Sequence, residues 1–298
     1  GGLSGGGTGG SGASDVVVRG QITAGPFVEG NDFRVFLYDA SGEALLGGVG
    51  QDLNPDGTFE FGVKGDASSG PVIVHAVNTG SAPDYVDEAT GQRIDATSNF
   101  MTVLNPSKGV NTISVTPLTT IAAMRLGLTD ESGGNSEETL SIREPLGSES
   151  VDEKNSEVAQ AFGLTDIVTE TVAPTISTDG TVMTKTASPY GKALAALSGM
   201  HSISGKTKGE VLTDLVASFD EDTGELMESA RIKVAAGAKE AGLDRGDLVS
   251  EDGGSLPFGG DVYVSQETLL NTLNSAGETD PETGQPVAPT VEDYEALG

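Results

Sequence analysis

The sequence predicts a mixed fold, a β-sandwich followed by a mostly helical domain. Three observations predict it. Short runs of β-branched and aromatic residues with turn signals between them fill residues 15–116. From Thr116 onward apolar residues recur with the helical period instead. Glycine, at 43 residues, marks many turns.

Residues 1–14 are glycine and serine with little else and read as a flexible linker or tether. Strands are expected at Val16–Thr23, Phe33–Asp39, Glu43–Val49, Thr58–Val63, Pro71–Asn78, Asn99–Leu104 and Asn111–Thr116. Phe59 and Phe61 alternate onto one face. Asp39 to Gly42 and Asn54 to Gly57 place glycine where a turn needs positive φ. About seven short strands in roughly 100 residues is the pattern of a two-sheet sandwich.

Thr116 is a good N-cap, with Pro117 at the first helical position and Gly127 as the stop. Glu131 to Glu149 reads as a polar loop. Ser150 opens a helix that Gly163 closes, and Ser188-Pro189 opens another with Tyr190, Leu194 and Leu197 on one face. Val211, Leu212, Leu215, Val216 and Phe219 mark an amphipathic helix. Glu225 to Ala241 reads as an alanine-rich helix closed by Gly242, Val262–Val264 as a short strand, and Gln266–Asn274 as a last helix. The expected units are the tether 1–14, the sandwich 15–116, the helical domain 117–276 and an extended acidic, proline-containing tail 277–298. No linker separates sandwich from helices, so the helices are expected to pack on it.

Charge and composition restrict function. Acids outnumber bases by 45 to 16, for a net charge of -29, which disfavours nucleic acid and anionic membranes as partners. There is no Cys and no Trp, and there are 2 His. No thiol chemistry or disulfide framework follows. No apolar stretch approaches the ~18 residues of a membrane span. The chain opens on Gly-Gly, so it is expected to be a mature or trimmed product, and a lipid anchor on a Cys just upstream of Gly1 would suit the tether.

The candidate motifs are weak. Asp222-Thr223-Gly224 spells an aspartic-protease tripeptide without the second copy that such a site needs. It recurs loosely at Asp87–Gly91 and Asp280–Gly284, as Asp-x-x-Thr-Gly, which reads as a repeated turn. Gly199–Thr207 has one residue too many for a phosphate loop and follows a helix where that loop follows a strand. Arg245-Gly246-Asp247 reads as a loop. His75 and His201 fall in different halves, each without the carboxylate or second His of a metal site. Calcium is the one cofactor with oxygen ligands to offer, at Asp220, Asp222 and Glu225 with Glu228 nearby, and at Asn54 and Asp56 with Glu60 across the turn. Val16, Val17, Val18 and Ile22 follow the tether. A tethered β-branched strand can pair in its own sheet or with the edge of a neighbouring copy, and head-to-tail pairing builds a filament.

Two resemblances add to this. Val18–Thr23, Phe36–Gly42 and Asn54–Phe61 resemble the carboxypeptidase-regulatory, transthyretin-like sandwich, which implies an Ig-like two-sheet fold. Ile113–Ala122, Val158–Ile167 and Tyr190–Ser198 resemble a block found in bacterial surface lipoproteins and secreted adhesin-like proteins. That block implies an exported, cell-surface location and carries no catalytic residues. The expected function is therefore a non-enzymatic structural protein of the cell surface or extracellular matrix. It self-assembles, with the N-terminal segment as donor strand, or acts in adhesion. The alternative is a monomeric surface lipoprotein that binds a carbohydrate or other small ligand between its two parts.

Overall fold

The computed structural model describes residues 15–64, 70–130, 140–274, 279–284 and 290–297. Its N-terminal half is rich in strands and its C-terminal half is helical. Strand β1 (Val16–Ile22) runs antiparallel to β4 (Thr58–Val63) and parallel to β9 (Gly109–Val115), giving a three-stranded sheet in the order β4-β1-β9. A four-stranded antiparallel sheet has the order β3-β2-β5-β8, from Gln51–Asp52, Phe33–Tyr38, Val72–Asn78 and Phe100–Leu104. Two small hairpins pair β6 (Tyr85–Val86) with β7 (Arg93–Ile94), and β10 (Leu128–Asp130) with β11 (Leu140–Ile142).

Side-chain alternation explains both sheets. On β1, Val16, Val18 and Ile22 are buried while Arg19 is exposed. Gly20 is required there, because a Cβ would lie 2.1 Å from the Ile113 carbonyl oxygen of β9. Every residue of β5 is buried, so that strand is covered on both faces. Val72, Val74 and Ala76 enter the main core. Ile73, with Met101 and Val103 of β8, packs on the other face against Ala123, Leu126 and Val151 of the first two helices.

Helix α1 (Pro117–Arg125) begins as the sequence predicts. Thr116 caps it, accepting from the Leu118 and Thr119 amides, and Pro117 takes the first position. The threonines that follow tie the helix to β8. Thr120 Oγ1 accepts the Met101 amide at 2.9 Å, and Thr102 Oγ1 lies 2.9 Å from Thr119 Oγ1. Tyr190 OH, buried, donates to the Ile167 carbonyl and meets Thr116 Oγ1, each at 2.7 Å.

The remaining helices are α2 (Ser148–Ala161), α3 (Pro189–Ser204), α4 (Lys208–Ala217), α5 (Glu228–Glu240), α6 (Gly260–Asn274) and α7 (Val291–Glu295). Ser188 and Thr207 cap α3 and α4. Helices α3, α5 and α6 are each entered through a small hairpin closed by a single bridge, Ile176 to Val182, Phe219 to Leu226 and Val249 to Ser255. One hydrophobic core runs from Val16 through α3 and α5 to Leu297.

Four expectations are corrected. Glu43–Val49 is not a strand, because Leu46, Gly47 and Gly48 all take positive φ and form a 3-10 turn. Val262–Val264 belongs to α6, where Tyr263, Gln266 and Leu270 share the buried face. The segment read as loop contains β11 and the start of α2, which begins at Ser148 rather than Ser150 because Gly147 supplies the extended N-cap. The tail is not all extended. Thr290 caps α7, whose Tyr294 is buried beneath Lys233. Residues 1–14, the polar residues 131–139 and parts of the tail lie outside the described residues.

Candidate functional site

Three carboxylates meet at one end of the strand-rich half. Asp32 precedes β2, Asp84 precedes β6 and Asp95 follows β7, and one oxygen from each lies within 4.8 Å of the others. Among the described residues this is the only group of three or more His, Cys, Asp or Glu placed to share a metal ion. Backbone amides fix the geometry. Asp84 Oδ1 accepts the Asp32 amide at 3.3 Å and Oδ2 the Ala96 amide at 2.8 Å. Asp32 Oδ2 accepts the Ala82 amide at 3.0 Å, and its Oδ1 is buried without a partner. Asn78 Nδ2 donates to Asp95 Oδ1 at 2.7 Å. Gly80 leaves room, since a Cβ there would lie 2.1 Å from Asp32 Oδ2.

Asp84 has no exposed surface. Burial pushes its carboxyl well above the ordinary range; the Ala96 amide opposes this and the neighbouring Asp32 carboxyl adds to it. A buried acid facing two others holds a proton or a cation in preference to bare charge. Hard oxygen donors of this kind suit calcium.

The residues singled out in the sequence are placed differently. Asp220 Oδ1 accepts the amides of Asp222 and Thr223 at 2.8 and 3.2 Å, and the Gly224 amide returns to the Asp220 carbonyl at 2.7 Å. Asp222, Glu225 and Glu228 are exposed around this turn. Asp87 repeats the geometry, accepting from Ala89 and Thr90 at 2.8 and 3.0 Å, and Asp280 accepts from Glu282 at 2.8 Å. The Asp-x-x-Thr-Gly pattern is thus a turn module, as its recurrence predicts. Asp56 Oδ1 holds the Thr58 amide and hydroxyl at 3.1 and 2.6 Å, and Asn54 Nδ2 donates to Thr58 Oγ1 at 2.9 Å, with Glu60 exposed beyond. Val16, Val18 and Ile22 are buried in their own core and Val17 is half-buried. Arg245–Asp247 forms a 3-10 turn capped by Asp244.

One histidine needs correction. His75 does have a carboxylate, its Nε2 lying 2.7 Å from Asp130 Oδ2, which also accepts from Asn99 Nδ2 at 2.8 Å. Asp130 arrives through the β10–β11 hairpin that sequence reading missed. His201 sits inside α3, its Nδ1 2.6 Å from the Lys206 carbonyl, and burial with Lys208 nearby lowers its pKa.

A second polar cluster joins the two halves. Glu88, buried in the β6–β7 turn, accepts from the Thr175 amide and hydroxyl at 2.9 and 2.5 Å. Lys208, fully buried at the start of α4, donates from Nζ to Ser198 Oγ at 3.1 Å and from its amide to Thr97 Oγ1 at 2.8 Å. Burial raises Glu88 to about 7 and lowers Lys208 to about 8; each charge partly offsets the effect on the other. Ser198 beside a lysine of lowered pKa has the parts of a nucleophile and base, but both have no exposed surface, so no substrate reaches them.

No protein-family model, curated protein or solved structure matches this chain. No helix among the described residues is long and apolar enough to cross a membrane.

Proposed function

We propose that this chain is a structural and adhesive module of the bacterial cell surface. It is exported and assembles with further copies of itself, and calcium at Asp32, Asp84 and Asp95 stiffens it. In this reading the two larger sheets face each other as a transthyretin-like sandwich that the helices cover. The observation that carries the reading is the main core shared by strands and helices. A two-part body fused in this way serves as a load-bearing unit, and its buried Ser198, Lys208 and Glu88 act as an internal clamp between the parts. The surface charge supports a role for divalent cations. Copies with a net charge of -29 repel one another, and divalent ions screen and bridge such surfaces.

The test is negative-stain electron microscopy with light scattering, in calcium and in EDTA, on the full chain and on a chain lacking residues 1–14. Truncation must stop there, because β1 begins at Val16 and is the middle strand of its sheet. Multimers or filaments in calcium that dissolve in EDTA are expected. Monodisperse particles in every condition would sink the reading and leave the monomeric ligand-binding lipoprotein.

A further inference from the structure

Strand β9 is the edge of its sheet, and part of that edge is open. The Gly109 amide bonds to Asp15 and the Val115 carbonyl accepts from Thr23, so those residues face β1. The Ser114 amide points the other way, to the Val168 carbonyl at 2.7 Å. Strand alternation therefore puts the N–H and C=O groups of Val110 and Thr112 on the outer edge. Both residues are exposed. They form one wall of a cleft of about 490 Å³ whose opposite wall is α2.

We propose that this cleft takes up an extended peptide of a partner protein by strand addition to β9, and that the peptide carries lysine or arginine. Three observations specify that occupant. The chain already uses this edge in the same way, since the Val168 carbonyl continues the ladder at Ser114 and Glu170 accepts from the Ser114 hydroxyl at 2.8 Å. An added strand extends that ladder by two residues, pairing four backbone groups that now face water. The cleft is also acidic, because Asp152 and Asp166 line it and, among the described residues, no lysine or arginine does. That selects a basic peptide over an acidic one, including segments of this chain. Finally, Asn105 and Asn155, half-buried residues lining the cleft, each hold a buried Oδ1 without a hydrogen-bond partner, which becomes an acceptor for a donor-bearing side chain once the amide turns into the cleft. This inference stands apart from self-assembly and holds for a monomer as well.

The experiment is fluorescence anisotropy on the full chain with four probes. These are an alternating valine–lysine octapeptide, the same peptide N-methylated at alternate residues, its valine–glutamate counterpart, and maltohexaose as competitor. The valine–lysine peptide binds, and N-methylation or the change to glutamate weakens binding at least about tenfold, as expected for the loss of one or two hydrogen bonds or a charge pair. Thr112→Pro removes one outward N–H and breaks no backbone bond to β1, losing besides it only the long, exposed contact of 3.4 Å from Arg19 Nε to Thr112 Oγ1, so it weakens binding similarly at a nearly unchanged melting temperature. Should that variant melt early, Ser156→Lys on the exposed wall of α2 offsets one of the two acids and narrows the preference for the valine–lysine peptide over its valine–glutamate counterpart instead. Equal binding of the plain and N-methylated peptides, or displacement by maltohexaose with no peptide preference, overturns the proposal. The latter outcome assigns the cleft to a neutral carbohydrate.

Discussion

Asp84 concentrates the electrostatic cost of this fold in one carboxyl. It is fully buried, and the ionisable groups beside it are Asp32 and Asp95. An acid whose folded pKa is raised stabilises the folded state fully below its unfolded value, here 3.8, and that contribution is lost as pH rises through the folded value. Glu88 behaves alike between 4.5 and about 7. Lys208 has the opposite sign, because its pKa falls from 10.5 to about 8; its contribution is present above the upper value and lost as pH falls through the lower. Mildly acidic solution thus favours the carboxyls, and pH 7 to 8 is where both kinds of group cost most. In EDTA the urea midpoint is expected to be higher at pH 5 than at pH 7.5, by about 2 kcal/mol or more in stability. The overall acidity acts in the same direction, so Asp84→Asn is the control that isolates the site: it reduces the pH dependence. Calcium at pH 7.5 stabilises the wild type and does so far less in Asp84→Asn. Equal calcium response in the two proteins would remove the metal from these aspartates.

Helices α3 and α5 meet through backbone at their crossing. At the crossing of α3 and α5, a Cβ on Gly199 would lie 1.7 Å from the Gly237 carbonyl oxygen, and one on Gly237 would lie 2.2 Å from that of Ala196. Alanines flank the contact, so the axes approach closely, and the atoms nearest a Cβ on Gly199 are all backbone of Gly237 and cannot give way. Gly199→Val is expected to destabilise the fold by about 1–3 kcal/mol through overpacking, read as an earlier melting transition. An unchanged melting temperature would mean that the helices stand further apart. Elements with local signals were legible in the sequence: Thr116-Pro117 and Ser188-Pro189 mark helix starts whatever surrounds them. Elements decided by distant contacts were not. Leu46 resembles a strand residue by composition but takes a positive φ beside two glycines. Val262 and Val264 are β-branched, yet burial of Tyr263 and Gln266 on one face selects helix. The aspartate cluster left no sequence signal because Asp32 and Asp84 stand 52 positions apart and are brought together only by the sheet and its hairpin.

At the scale of the whole molecule the open choice is whose β1 fills the sheet. The strand pairs on both sides, with β4 and with β9, and its Val16, Val18 and Ile22 enter the shared core. The same ladders form if the strand comes from a neighbouring copy, since exchange preserves every contact and changes only the connection. A chain without cysteine offers a clean way to tell the two apart. Arg19 and Glu60 are register partners on β1 and β4, and their side chains share the outer face. Directly opposed antiparallel residues bring their Cα atoms to about 4.5–5.5 Å, within the span of a disulfide. An Arg19→Cys, Glu60→Cys chain oxidised at high concentration in calcium therefore reports the pairing on a non-reducing gel. If β1 stays at home, the product runs as an intact monomer of altered mobility and any assembly uses the outer surfaces. If β1 is donated, the product is a covalent ladder that collapses on reduction, and each rung counts one exchanged strand. The single variants distinguish this from chance collision, because one exposed cysteine alone gives dimers at most.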